Sequence, residues 1–261
     1  MNYRLIYPKD LLKKYVRFFW ILEDDDLTEK KFITIPDGTP GLIFQEDPTV
    51  FDRYGQTLPQ LFLFGQATSH AELSLRGSFR SVGVSFQPSG LRSVFGMDAN
   101  ELTDQHIDLD HLTNTSITDE VLDKRSIEKK VDVLEAFLSR QAARREKENE
   151  KVEWASSQLR DGRQLKQVQT DLQISERSLE RLFKQHIGIS PILYARICRF
   201  QTALQIMRRA NFSSLTEIAF ECNYFDQSHF IREFKIFAGA TPKHFLQKAK
   251  EKMPNFPEWE L

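Results

Sequence analysis

Apolar and polar positions alternate in short bursts over the first 115 residues, and each burst closes at Gly, Pro or Asp. Phe32-Ile33-Thr34-Ile35 runs into Pro36-Asp37-Gly38, and Gly41-Leu42-Ile43-Phe44 follows. Leu61-Phe62-Leu63-Phe64-Gly65, Ala71-Glu72-Leu73-Ser74-Leu75 and Val82-Gly83-Val84-Ser85-Phe86 continue the series. Short strands at this spacing predict a β-barrel or sandwich. Residues 89–96 and 98–103 read as short helical pieces leaving the sheet. From Thr118 to Arg145 the apolar period lengthens to a helical one, carried by Val121, Leu122, Ile127, Val131, Leu134 and Leu138, with an interruption near Ser126. The most economical partner for that face is the chain's own sheet. The apolar-free run Arg144 to Lys151 then predicts a solvated tether. The chain thus divides into a β-rich domain over 1–115, a helical linker over 116–150 and a helical domain over 151–253.

The last third contains an echo of itself. Arg181-Leu182-Phe183-Lys184, Gly188, Ser190-Pro191 and Tyr194 return as Arg232-Glu233-Phe234-Lys235, Gly239, Thr241-Pro242 and Phe245, always 51 residues later. Leu179 maps on Phe230, and Ser175 on Asp226. Ser175 and Asp226 are helix N-cap types, and the glycines suit a left-handed helix end. Ser190-Pro191 and Thr241-Pro242 are a cap and a first-turn proline for the next helix. A shorter helix precedes each repeated one. Ser214-Leu215-Thr216-Glu217 has the capping-box spacing, and Ile218, Ala219 and Cys222 make its apolar face. The first copy uses Val168, Leu172 and Ile174 with a turn one residue shorter. Two helix-turn-helix units result, joined by the apolar helix Leu193 to Met207.

Charge sharpens this picture. The chain is nearly neutral at −1, yet residues 151–253 carry 17 Lys and Arg against 10 Asp and Glu. A basic half joined to an acidic half points to a polyanion. The candidate contact residues lie opposite the buried face of each repeated helix. They are Arg177, Glu180, Arg181 and Lys184 in the first, and Gln227, Ser228, Ile231, Arg232 and Lys235 in the second, flanked by His229. Such side chains read base edges or grip phosphates, and paired helices can enter major-groove segments about 34 Å apart.

Residues 151–250 closely resemble the AraC/XylS family of transcription regulators. The resemblance rests on Ile218-Ala219, Asp226-Gln227-Ser228-His229-Phe230, Arg232-Glu233-Phe234-Lys235, Gly239 and Thr241-Pro242, with Ser190-Pro191, Tyr194, Arg199-Phe200 and Ala203 in the joining segment. It implies a seven-helix domain whose two second helices insert into the major groove. Two positions depart from the family pattern. Asn223 replaces the usual Gly of the second turn, and Gln169 replaces a small Ala in the first motif. Trp20, Pro36-Asp37-Gly38, Leu42-Ile43-Phe44, Gly65, Gly83-Val84, Phe86 and Pro88 resemble the cupin-like sensor domain that precedes this module in part of the family. The expected fold class is α+β: a cupin-like barrel or sandwich followed by an all-α double helix-turn-helix domain.

Other chemistries find little support. The apolar run Phe18-Phe19-Trp20-Ile21-Leu22 is far short of the ~20 residues of a membrane span. Two cysteines, Cys198 and Cys222, do not make a disulfide framework, so a cytoplasmic location is expected. P-loop, G-x-S-x-G, H-E-x-x-H and C-x-x-C motifs are absent. His70, His106 and His111 are scattered and, with Asp104, Asp108 and Asp110, read as surface residues rather than metal ligands. The expectation is a regulator and not an enzyme, without cofactor or metal, whose partner is double-stranded DNA. A small-molecule effector or a homodimer formed through the first domain would modulate it. An effector-independent regulator and a cupin-like metal or ligand enzyme with a DNA-binding tail remain the alternatives.

Overall fold

The computed structural model describes residues 2–52, 54–144, 150–209 and 212–250. The charged run expected as a tether falls outside the described residues over 145–149, as do residues 251–253 of the basic half. In chain order, strands β1 (Asn2–Ile6), β2 (Val16–Asp24), β3 (Lys30–Thr34), β4 (Gly41–Gln45), β5 (Val50–Phe51), β6 (Leu61–Phe64), β7 (Ala71–Leu75), β8 (Phe79–Phe86) and β9 (His106–Asp108) form two antiparallel sheets. The larger has the order β1-β2-β8-β4-β6-β9, the smaller β3-β7-β5.

The five-residue apolar run in β2 marks a strand covered on both faces. Phe19 and Ile21 point to a core shared with helices, whereas Trp20 and Leu22 join Phe32, Leu75 and Phe79 between the two sheets. Alternate residues of a strand face opposite sides, so a strand buried twice cannot alternate apolar with polar. Gly83 pairs with Trp20 across β2 and β8, and the indole lies directly over its Cα. No side chain fits there. The first domain is therefore a sheet sandwich with a helical third layer.

That third layer is built from α1 (Gly90–Phe95), α2 (Leu109–Thr113), α3 (Ile117–Leu122) and α4 (Ile127–Ala143). The interruption near Ser126 is real: its hydroxyl caps α4 by accepting from Lys129 N. Val131, Leu134, Phe137 and Leu138 pack in one core with Phe19, Leu42 and Phe86. The segment expected as a linker over 116–150 thus packs into the first core up to Ala143, because a helix with so wide an apolar stripe must bury it. Lys130, buried in α4, reaches Val121 O at 3.4 Å and the Glu46 carboxylate at 3.2 Å.

Seven helices follow among the described residues: α5 (Glu150–Arg160), α6 (Leu165–Leu172), α7 (Glu176–His186), α8 (Pro191–Arg208), α9 (Leu215–Glu221), α10 (Gln227–Ala238) and α11 (Pro242–Lys250). They enclose a separate core centred on Phe183, Tyr194, Phe200, Phe230, Phe234 and Phe237. Among the described residues no helix is long and apolar enough to cross a membrane.

Candidate nucleic-acid interface

Each repeated helix begins at the cap its sequence foretells. Ser175 accepts from Ser178 N at 3.2 Å to open α7, and Asp226 accepts from His229 N at 2.7 Å to open α10. A side-chain acceptor here satisfies one of the helix's orphan amides. Ser214 caps α9 through Glu217 N at 3.1 Å. The Glu217 carboxylate accepts from the Ser213 amide and hydroxyl, and the Ser214 amide also helps to hold it ionised.

The turns explain both departures from the family pattern. Asn223 adopts φ 55°, the left-handed region that Asn tolerates better than most residues. In the first motif the left-handed residue is Gln173 at φ 53°, two positions before its N-cap instead of three, which makes that turn the shorter. Gln169 is only partly buried at the first crossing. The α7 apolar face, Leu179 and Phe183, and the α10 face, Phe230, Phe234 and Phe237, are all fully buried.

With those faces inward, the opposite ridges turn outward. Arg177, Arg181 and Lys184 are exposed along α7, and Ser228, Arg232 and Lys235 are exposed along α10. The two sets share the spacing i, i+4, i+7 and the 51-residue offset, so the same ridge is displayed twice. Glu180 and its counterpart Ile231 are half-buried at the flank of each ridge, and Ile231 packs on the core. Gln227 is exposed at the start of α10, its Oε1 accepting from Thr216 Oγ1 at 2.8 Å.

His229, expected as a flanking contact, is half-buried beside the ridge and also has partners within the protein: Nδ1 accepts from Phe225 N at 3.4 Å, and the ring meets Tyr224 edge-on at 5.4 Å. Each positive helix end meets one carboxylate, Glu176 in the first turn of α7 and the Asp226 cap of α10.

Two features escaped the sequence reading. Phe225, 86% exposed, stands at the turn immediately before the α10 cap, with Phe220 exposed nearby on α9. An apolar residue at a turn between two capped helices was the available signal. Glu233, buried in α10, accepts from Arg196 Nε at 2.7 Å and from Arg199 Nη2 at 2.9 and 3.1 Å. Here the signal was weak, because charged residues three apart in α8 are ordinary on a solvated face.

The acids Asp104, Asp108 and Asp110 of the first domain bond within that domain. Asp108 caps α2, Asp110 accepts from Thr118 N, and Asp104 accepts from Thr68. Burial pushes the thiols of Cys198 and Cys222 up to about 11 each.

Residues 169–248 match the family described as a helix-turn-helix domain, and residues 4–108 match one described as a domain of unknown function (DUF6597). The HTH-type transcriptional activator RhaS of Escherichia fergusonii is 28% identical over 99 residues, which are 38% of this chain and 35% of that protein. The chain therefore spans about a third of the length of the curated relatives it matches. ToxT from Vibrio cholerae O395 superposes with a TM-score of 0.44 at 13% identity, covering 90% of this chain and 98% of that one. A probable AraC family transcriptional regulator from Rhodopseudomonas palustris CGA009 gives 0.35 at 21% identity, over 38% of this chain and 97% of that one. The helix-turn-helix match lies on the two capped, duplicated motifs described above, so the chain carries a helix-turn-helix domain behind a sheet-rich one.

Proposed function

We propose that this protein is a sequence-specific transcription regulator that binds double-stranded DNA through both motifs. The reading residues are Arg177, Arg181 and Lys184 of α7 and Gln227, Ser228, Arg232 and Lys235 of α10, with Glu180 and Ile231 at the flanks. His229 holds the second turn in shape. One observation carries the reading: the ridge 177/181/184 recurs as 228/232/235, and both copies stay exposed with the first domain docked. The division of labour falls between residues 144 and 150, with recognition on the C-terminal side.

Phe225 extends the second reading surface. It stands beside Gln227 and Ser228 at the helix N-terminus, and an exposed aromatic ring there can meet a thymine methyl group. The first domain has both faces of its large sheet filled, by helices on one side and the small sheet on the other. That packing supports a role in positioning the motifs over one in enclosing an effector.

The test starts from duplexes selected out of a random pool. Arg232→Ala weakens binding to the selected site, and Arg177→Ala relaxes preference in the first half-site, each by about 1–3 kcal/mol if a base-edge contact is lost. Unchanged affinity and preference in both variants at fixed salt would refute groove insertion.

A further inference from the structure

Two loops of the first domain reach the C-terminal ends of both reading helices. Thr103 Oγ1 donates to Gly188 O at 2.7 Å, just past the end of α7. The contact is close: a Cβ on Gly188 would lie 3.0 Å from Ala99 O. At the other motif, His70 Nδ1 lies 3.2 Å from Ile236 O in the last turn of α10. The His70 ring also covers Gly239, where a Cβ would come within 2.7 Å of it. Gly188 and Gly239 are the equivalent residues of the repeat. The first domain therefore grips the same point of each copy.

The two loops are also fastened to one another. The Asp104 carboxylate accepts from Thr68 N at 2.7 Å and from Thr68 Oγ1 at 2.5 Å, and Asp104 N donates to Gln66 O at 2.9 Å. Asp104 holds φ 56°, a left-handed backbone maintained by those bonds. A continuous chain of contacts thus runs from Gly188 through Thr103, Asp104, Thr68 and His70 to Ile236. A third attachment lies on the helix that joins the motifs, where Gln201 Nε2 donates to Pro36 O at 2.7 Å.

We propose that the 66–70 and 99–104 loops form one bracket that sets the distance and rotation between α7 and α10, with Thr103 and His70 as positioning residues. The inference rests on the DNA-binding reading above. The last carbonyls of a helix carry partial negative charge and lack intrahelical donors, so a hydroxyl or an imidazole N–H is a fitting grip. The bracket approaches from the ends of the helices and leaves both ridges exposed. Two readers held at a fixed separation bind two half-sites as one ligand, and they penalise any duplex whose half-sites are displaced. Half-site spacing, a property of neither motif alone, then becomes a property of the first domain.

The experiment compares the full chain with Thr103→Val, His70→Ala and the double variant. Each binds duplexes selected by the parent, and the same duplexes with one base pair inserted between the half-sites. The parent loses about tenfold or more on insertion, whereas the double variant loses about threefold or less. Base preference within each half-site and the salt slope stay as in the parent, which separates lost positioning from lost reading. An unchanged insertion penalty in a double variant that melts at the parental temperature overturns the proposal. So does a gain in affinity, since the bracket would then be holding the motifs away from DNA. A parent that selects no sequence refutes the DNA-binding reading itself and takes the bracket with it.

Discussion

Glu233 of α10 is bridged by Arg199 of α8: a single guanidinium nitrogen of Arg199 reaches both carboxylate oxygens, at 2.9 and 3.1 Å. The same guanidinium stacks over Tyr224 at 4.5 Å, so the turn before α10 is held by the group that anchors its middle. Arg196 adds a further bond. A helix fixed in this way presents Arg232 and Lys235 at a defined rotation.

Glu233→Ala leaves two guanidinium groups without their carboxylate in a largely buried site. The loss expected in urea unfolding is about 2–3 kcal/mol, below the range for a fully buried pair because both arginines keep some solvent contact. Glu233→Gln recovers part of it. A difference below about 0.5 kcal/mol for Glu233→Ala would show that the link is solvated.

Gly83→Ala forces a methyl into the Trp20 indole, where the added carbon would lie 1.8 Å from Cε2. A β2–β8 pair cannot part without opening the large sheet. Destabilisation of about 3 kcal/mol or more is expected, with quenched or shifted tryptophan emission. Parental stability would mean that the indole has an alternative rotamer at little cost.

His186 lies at the contact between α7 and the first domain. Desolvation first, and then the Arg92 charge, lower its pKa from 6.5 to about 4. The unfolded chain therefore binds a proton more readily than the folded one between about pH 6.5 and 4. Stability is full above pH 6.5 and falls on acidification through that window, by at most about 3 kcal/mol. Subtracting the profile of His186→Gln from that of the parent isolates this histidine from the carboxylates that titrate nearby. Parallel profiles would remove His186 as the source.

Cys198 and Cys222 are buried, with thiol pKa values raised to about 11 by desolvation. Only the thiolate attacks a disulfide reagent, so both should resist labelling in the native state and react once urea unfolds the chain. Rapid labelling of either thiol without denaturant would reveal local opening around α8 or α9.

Phe225→Ser removes an exposed ring and should leave the melting temperature within a degree or two. On duplexes in which thymine is replaced by uracil, the parent loses affinity at one or two positions in the second half-site. The variant loses nothing further there, because the methyl partner is already gone. Equal sensitivity in both proteins would take Phe225 off the DNA.

Much of the helical domain is legible in its residues. Ser175, Asp226, Ser190 and Ser214 cap the helices their spacing announces, and Asn223 takes the left-handed turn in place of glycine. The bond from Phe225 N to the His229 imidazole was not legible, because an imidazole facing outward on a helical wheel can still fold back on its own turn.

What the sequence by itself determined is therefore the local order: the 51-residue repeat, its caps and its buried faces, and the change from strand to helix period before α4. Those features are decided within a few residues of one another, by φ/ψ preference, capping and periodicity. The tertiary structure decided what covers each surface. Both faces of β2 find partners, Glu233 finds Arg199, and His70 reaches Ile236 across 166 residues of chain. Encounters over such separations depend on how whole layers dock, and no short-range pattern encodes that.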